Sequence, residues 1–233
     1  FFEFGHVFHP SGPDAEPIVP GFFEQETMLI ALSGPQAPTH WDRDPREADF
    51  FDLKGTVASV LDALHIEAAE MASATTNDAL TTYQLDVLLA GARVGTVARV
   101  DDAVADDFDL TAPAFVAELD WAALVDAAAL HEERRYTPIS RFPIVERDLA
   151  ILADADVPVG PMMDTLRAEG APLLQDVSVF DIYEGEGIPS GQKSVAFGLR
   201  FGADRTLKDQ EVDALVKAML TALKKHHGAT LRQ

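Results

Sequence analysis

Asp176–Phe201, DVSVFDIYEGEGIPSGQKSVAFGLRF, is the stretch on which the fold turns. Two apolar-alternating runs flank a connector rich in Gly, Pro and Ser, the pattern of a β-hairpin with a long loop. Successive side chains of a strand point to opposite faces. Val195, Phe197, Leu199 and Phe201 therefore form one continuous apolar face, opposite Ser194, Ala196, Gly198 and Arg200. On the other run, Phe180 and Ile182 are expected to share the core face, with Asp181 and Tyr183 on the opposite one. The exposed side would then carry an aromatic ring, a carboxylate, a hydroxyl and an arginine over small residues. Such a surface can stack on, and hydrogen-bond to, a flat polar ligand.

The neighbours of the hairpin complete a recognisable order. Asp148–Ala153 reads as a strand, and Pro161–Glu169 as a helix with proline at its start and Gly170 just past its end. After the hairpin, Thr206 is the expected cap of a second helix, with Asp209 three residues on. Val212, Leu215, Val216, Met219 and Leu223 line one face of that helix, Gly228 stops it, and Ala229–Arg232 supplies a last short strand. The order βαββαβ is the ferredoxin-like split arrangement. The two prolines of Tyr136–Pro143 mark a boundary, giving two expected domains, 1–136 and 137–233.

The first of these reads as a mixed α/β module. Strands are expected at 1–9, 26–33, 82–90, 93–100 and 114–118, and a short helix over 121–130. A longer helix should start at an Asp44 cap, with Pro45 in its first turn and Glu47 three residues after the cap. Its apolar stripe is Phe50, Leu53, Val57, Val60, Leu61 and Leu64. Asp101–Asp109 is expected to be an acidic loop.

Composition narrows the function classes. The formal charge is −21, unevenly spread: residues 1–137 hold 7 basic and 25 acidic side chains, residues 138–233 hold 11 and 14. Such acidity speaks against general affinity for nucleic acid or membranes, but leaves room for a local basic face in the second half. The excess resembles a solvated surface adapted to salt. No run of 18 uncharged apolar residues offers a membrane span. The opening FFEFGHVFHP has neither an initiator Met nor a signal-peptide pattern and suggests a piece of a longer protein. With no cysteine, disulfides and thiolate metal sites are excluded, which fits a cytoplasmic protein.

No catalytic constellation emerges. Asp101, Asp102, Asp106 and Asp107 lack the glycine turn and terminal Glu of a calcium loop. His226 and His227 suit the C-terminal turn of a helix, and the other histidines are scattered. GEGIPSG (185–191) has the wrong glycine spacing for a phosphate loop and leads into a strand. Arg141, Arg147, Lys193, Arg200 and Arg205 gather near the strand edges of the second domain. Ordinary ion pairing with Glu146, Asp148 or Asp204 competes with RNA for them. Single-stranded RNA is read by aromatic stacking and hydrogen bonds to base edges, which Tyr183 and Asp181 could supply. KSVAFGLRF lacks the paired aromatics of an RNA-recognition motif, so the domain is not of that type.

YTPISRFPIVERDLAIL, VFDIYEGEGIPSGQKSVAFGLRF, RTLKDQEV and the closing GATLR, in that order, resemble the ferredoxin-fold anticodon-binding domain of the bacterial phenylalanyl-tRNA synthetase beta subunit. Upstream, FEFGHVF and DFFDLKGTVASVLDAL resemble the preceding module of that subunit, with the likeness thinnest over residues 66–120. The resemblance implies an α+β protein: a class II synthetase-like, catalytically inactive module followed by the ferredoxin-like βαββαβ domain. It implies partnership with tRNA-Phe and with a catalytic alpha subunit in an α2β2 ligase. ATP and Mg2+ would serve the whole enzyme, with no cofactor held by this part. By the same resemblance Tyr183 would stack on an anticodon base, Asp181 and Ser194 would bond base edges, and Lys193 and Arg200 would touch phosphates. Phe50, Phe51 and Asp52 would serve packing and a subunit interface. The competing reading is a ferredoxin-like sensor of a small molecule such as an amino acid. An acylphosphatase-like hydrolase ranks below it for want of a phosphate-cradling loop.

Overall fold

The computed structural model describes residues 1–10, 21–42, 44–66, 69–74, 79–129 and 140–232. The chain divides into two compact units, Phe1–Arg134 and Arg135–Gln233. Residues 136–139 of the expected boundary lie outside the described residues.

The first unit holds β1 (Phe2–Pro10), β2 (Phe22–Ser33), α1 (Phe50–Ala63), β3 (Ala69–Ser73), β4 (Thr81–Leu89), β5 (Ala92–Val100), α2 (Asp102–Asp107), β6 (Ala114–Asp120) and α3 (Trp121–Ala129). Its six strands form one antiparallel sheet in the order β1-β2-β6-β5-β4-β3. Leu53, Val57 and Leu61 recur at helical spacing on α1 and are buried with Met28, Ile30, Val97, Leu119 and Leu124. The apolar stripe expected for this helix is therefore the packed one, with Phe50, Val60 and Leu64 at its margin. Phe51 is exposed.

Two expectations for this unit are corrected. The helix begins at Asp49, not Asp44. Residues 45–48 are engaged in backbone bonds to the preceding loop, from Gln36 N–H to the Arg46 carbonyl and from Ala48 N–H to the Gly34 carbonyl. A segment so paired cannot also form a helical turn. Asp101–Asp109 is not merely a loop: Asp101 caps α2, which buries Ala105. β3 went unforeseen, because AEMAS carries little β propensity and is held by pairing with β4.

The second unit contains β7 (Val145–Asp154), α4 (Val159–Gly170), β8 (Leu174–Tyr183), β9 (Gln192–Phe201), α5 (Asp209–His227) and β10 (Thr230–Leu231). The strand order is β10-β7-β9-β8, antiparallel throughout, as the βαββαβ reading requires. Val195, Phe197, Leu199 and Phe201 are fully buried with Met162, Leu166, Val212, Met219 and Leu223. The two helices thus cover one face of the sheet and leave the other open. Gly228 ends α5 at φ +64°, a conformation that glycine adopts freely. Gly170 lies inside α4 rather than beyond it, and a Cβ there would run into Leu174 and Met219. Thr206 is not the cap of α5, which starts three residues later and leaves Leu207 free to bury itself in the core.

Both long helices start with the same clamp. Arg46 donates to both oxygens of Asp52 at 2.7 Å, and Asp52 accepts from the N–H of the Asp49 cap at 2.8 Å. Arg205 donates to both oxygens of Glu211 at 2.9 and 2.7 Å, and Glu211 accepts from the Lys208 N–H at 3.0 Å. In each, an arginine precedes the cap by three residues and a carboxylate follows by three. The arginine hydrogen bonds lower Asp52 from 3.8, and Glu211 from 4.5, to about 2. A depressed folded value means the contribution is complete above the unfolded value and is lost as pH falls through the folded one. Melting temperature should therefore fall from about pH 4.5 to about pH 2. Asp52→Asn and Glu211→Gln should flatten that fall relative to the parent, as measured by thermal denaturation in acid. Parallel acid curves for parent and variants would refute the clamp.

Candidate nucleic-acid interface

The open face of the second sheet is fixed by cross-strand register. On β9 it carries Ser194, Ala196, Gly198 and Arg200; opposite them on β7 lie Leu152, Ala150, Asp148 and Glu146. On β8, Tyr183 stands opposite Ser194, Asp181 opposite Ala196, Ser178 opposite Gly198 and Asp176 opposite Arg200. Asp181, Tyr183, Ser194 and Arg200 are thus brought to one face, as the alternation predicts.

Their environments differ. Tyr183 is 41% exposed. Its hydroxyl donates to the Glu186 carbonyl at 3.3 Å, and its ring leans over the hairpin loop at Gly185. A ring oriented in this way and open to solvent presents a stacking surface at small entropic cost. Ser194 faces outward but is only 5% exposed, so the expected open hydroxyl is largely covered. Arg200 is exposed and sits 3.4 Å from Glu146. A pair this exposed contributes about 0–1 kcal/mol, so a phosphate could displace Glu146 with little loss.

Lys193 does not join this face. It pairs with Ala153 on the helix-facing side, is 9% exposed, and donates to the Ala155 carbonyl at 2.8 Å. Its parity with Val195 is the reason. A phosphate contact by Lys193 would require its ammonium to leave that carbonyl. The other basic residues of the group mostly pair with acids of α5: Arg147 with Asp209 at 3.0 Å, and Arg205 with Glu211.

The main departure is Phe180. The β8–β9 register slips between Val179 and Asp181, leaving Phe180 as the extra residue of a bulge. Val179 stays over Phe197 on the core side, whereas Phe180 turns outward with Asp181. Phe180 is 61% exposed, with Cδ1 3.7 Å from where a Gly198 Cβ would stand. Its expected core placement is thus overturned. Ile182 does face the core side, opposite Val195, but lies half-exposed at the hairpin end. One signal was available: an isolated glycine in a strand, Gly198, marks a bulge or a close approach across it.

An acceptor-rich sheet with an oriented ring and a displaceable arginine defines a surface suited to nucleobases more than to phosphates. Residues 140–232 match the ferredoxin-fold anticodon binding domain. Residues 1–121, just over half of the chain, match the phenylalanyl tRNA synthetase beta chain CLM domain. The chain belongs to the phenylalanyl-tRNA synthetase beta chain family. It is 54% identical over its whole length to the phenylalanine–tRNA ligase beta subunit of Salinibacter ruber, covering 29% of that protein. It is 34% identical over 99% of its length to the subunit of Geobacillus kaustophilus, covering 28% of it. The chain therefore spans under a third of the relatives it matches. Among solved structures, a pyrrolysyl-tRNA synthetase from Desulfitobacterium hafniense covers 53% of this chain and 39% of its own, at 12% identity and a TM-score of 0.37. That likeness is too slight to bear on the fold.

Proposed function

We propose that this chain is the part of a phenylalanine–tRNA ligase beta subunit that holds the anticodon stem-loop of tRNA-Phe. Through it the subunit supports ATP-dependent charging of that tRNA in the cytoplasm. The observation that carries the reading is the open sheet face of the second unit, where Asp181 stands opposite Ala196 and Tyr183 opposite Ser194, with Arg200 on the same face. Tyr183 stacks on one anticodon base, Asp181 takes a base edge with the largely covered Ser194 as a secondary contact, and Arg200 exchanges Glu146 for a phosphate. Glu146, Asp148, Asp176 and Asp181 make the face unwelcoming to phosphates, so the loop approaches bases first. The match to an anticodon-binding family over residues 140–232 favours RNA over the amino-acid sensor.

Residues 1–136 are assigned to a class II synthetase-like module without catalytic function, and residues 137–233 to the anticodon-binding domain. The first module would pack against the alpha subunit of an α2β2 assembly. Its apolar exposure supports this: Phe2, Phe4 and Phe8 of edge strand β1, Phe22 and Phe23 of β2, and Phe51 of α1. Among the described residues no three His, Asp or Glu side chains converge as a metal site. ATP and Mg2+ are assigned to the rest of the enzyme.

The test is a titration of a fluorescent tRNA-Phe anticodon stem-loop with this chain at low salt. Tyr183→Ala should weaken binding by about 1–3 kcal/mol, the worth of one stacked base. A hairpin with an altered anticodon should lose comparably, while the melting temperature of the variant stays within about 4 °C of the parent, the range for a side chain outside the core. Equal binding by parent, variant and altered hairpin would reject the reading.

A further inference from the structure

We infer that Phe180 is a second base platform on the same face, taking a different nucleotide from the one on Tyr183. The inference rests on the anticodon reading and deepens it. A bulge is needed to bring this ring to the open face, because regular alternation would turn it to the core side with Ile182. Gly198 beneath it completes the arrangement: a Cβ there would press on Ser178 Oγ at 3.0 Å and meet the Phe180 ring. The bare backbone leaves the ring close against the sheet with its outer surface open, and 61% of the residue faces solvent.

Spacing separates the two platforms. Phe180 lies by Gly198 and Tyr183 opposite Ser194, four residues apart on β9. At 3.3 Å per residue this is roughly 13 Å. Neighbouring stacked bases rise only about 3.4 Å, so two bases stacked on each other cannot serve both rings. The loop must be opened, with one base on each.

The polar surroundings specify the second base. Asp148 Oδ1 lies 3.9 Å from the Gly198 Cβ position and Ser178 Oγ on its other side. A carboxylate accepts hydrogen bonds only. It therefore favours a base edge rich in N–H donors, above all the adjacent N1–H and N2–H2 of guanine, over uracil, whose single N3–H lies between two carbonyl oxygens.

The experiment uses the 233-residue chain and the same stem-loop, with each loop base in turn made abasic. Phe180→Ala and Phe180→Leu should weaken binding about 5- to 150-fold, the second because bulk without a π face cannot stack. Phe180→Trp should bind within about twofold of the parent, and the melting temperatures of all three should match it. One abasic position should weaken the parent yet leave Phe180→Ala unchanged, and a different position should do so for Tyr183→Ala. Parent-like binding by Phe180→Ala, or the same silent position in both variants, overturns the inference. If Tyr183→Ala and the altered anticodon still lose binding in that case, the anticodon reading stands without Phe180. If neither loses binding, both fall together.

Discussion

Phe197→Ala lowers the stability of the second unit by about 3–5 kcal/mol, the range for removing a fully buried aromatic side chain. Phe197 is wholly buried on β9, with Leu149 on β7 and Val179 on β8 as its cross-strand partners. It faces the core formed with Met162, Leu166, Met219 and Leu223. Neither neighbouring strand can close the gap, because each is held to β9 by its own ladder. The strand that would sag also carries Ala196 and Gly198, the floor of the open face. RNA binding should therefore fall together with stability, whereas Tyr183→Ala separates the two. Urea unfolding monitored by hydrogen exchange at β9 amides measures the loss. A shift under about 1.5 kcal/mol would show that Phe197 does not organise this core.

The alternation that exposes this dependence was legible because β9 is regular along its whole length: four apolar residues at a period of two, paired without a slip to β7. The strand beside it was only half legible. Alternation counted from Phe180 and Ile182 would turn Val177 and Val179 outward with Asp181 and Tyr183, whereas both pack on the core side, and nothing in VSVFDIY shows that the period breaks at Phe180. That break is a property of the pair, since β8 spends two residues against one of β9 at this point. The helix starts failed for a related reason. Asp44 and Thr206 are sound caps by local chemistry, yet 45–48 is committed to the 34–36 loop and Leu207 to the core. Tertiary demands moved both starts downstream, to where an arginine and a carboxylate clamp them. Among the site residues, parity placed Tyr183, Asp181, Ser194 and Arg200 on the outer face. It equally puts Lys193 on the inner side, where its carbonyl partner comes from the turn after β7.

Gly95→Val should destabilise the first unit by about 3 kcal/mol or more, at the upper end for overpacking. Gly95 pairs with Leu119 on one side and Val87 on the other. A Cβ on it would overlap the Glu118 carbonyl and stand 2.7 Å from Leu119 Cδ2 and 3.0 Å from Leu119 Cα. Leu119 is fully buried and two of the three contacts are backbone, so relief requires moving β6 itself. The gain from restricting the unfolded chain is only about 0.4–1 kcal/mol and cannot offset that. β6 links β5 to β2, and β2 carries β1, so the apolar edge assigned to the alpha subunit would be displaced with it. Both tryptophans, Trp41 and Trp121, lie in this unit. Trp41 is 90% exposed, while Trp121 stacks edge-on against Phe4 at 4.7 Å, so unfolding fluorescence reports Trp121. Gly55→Ala supplies the opposite sign: its Cβ meets nothing on the open side of α1, and it should stabilise by about 0.5–1 kcal/mol. A fluorescence transition for Gly95→Val at or above that of Gly55→Ala would mean that β6 can yield at this crossing. In that event the first sheet is not held together there.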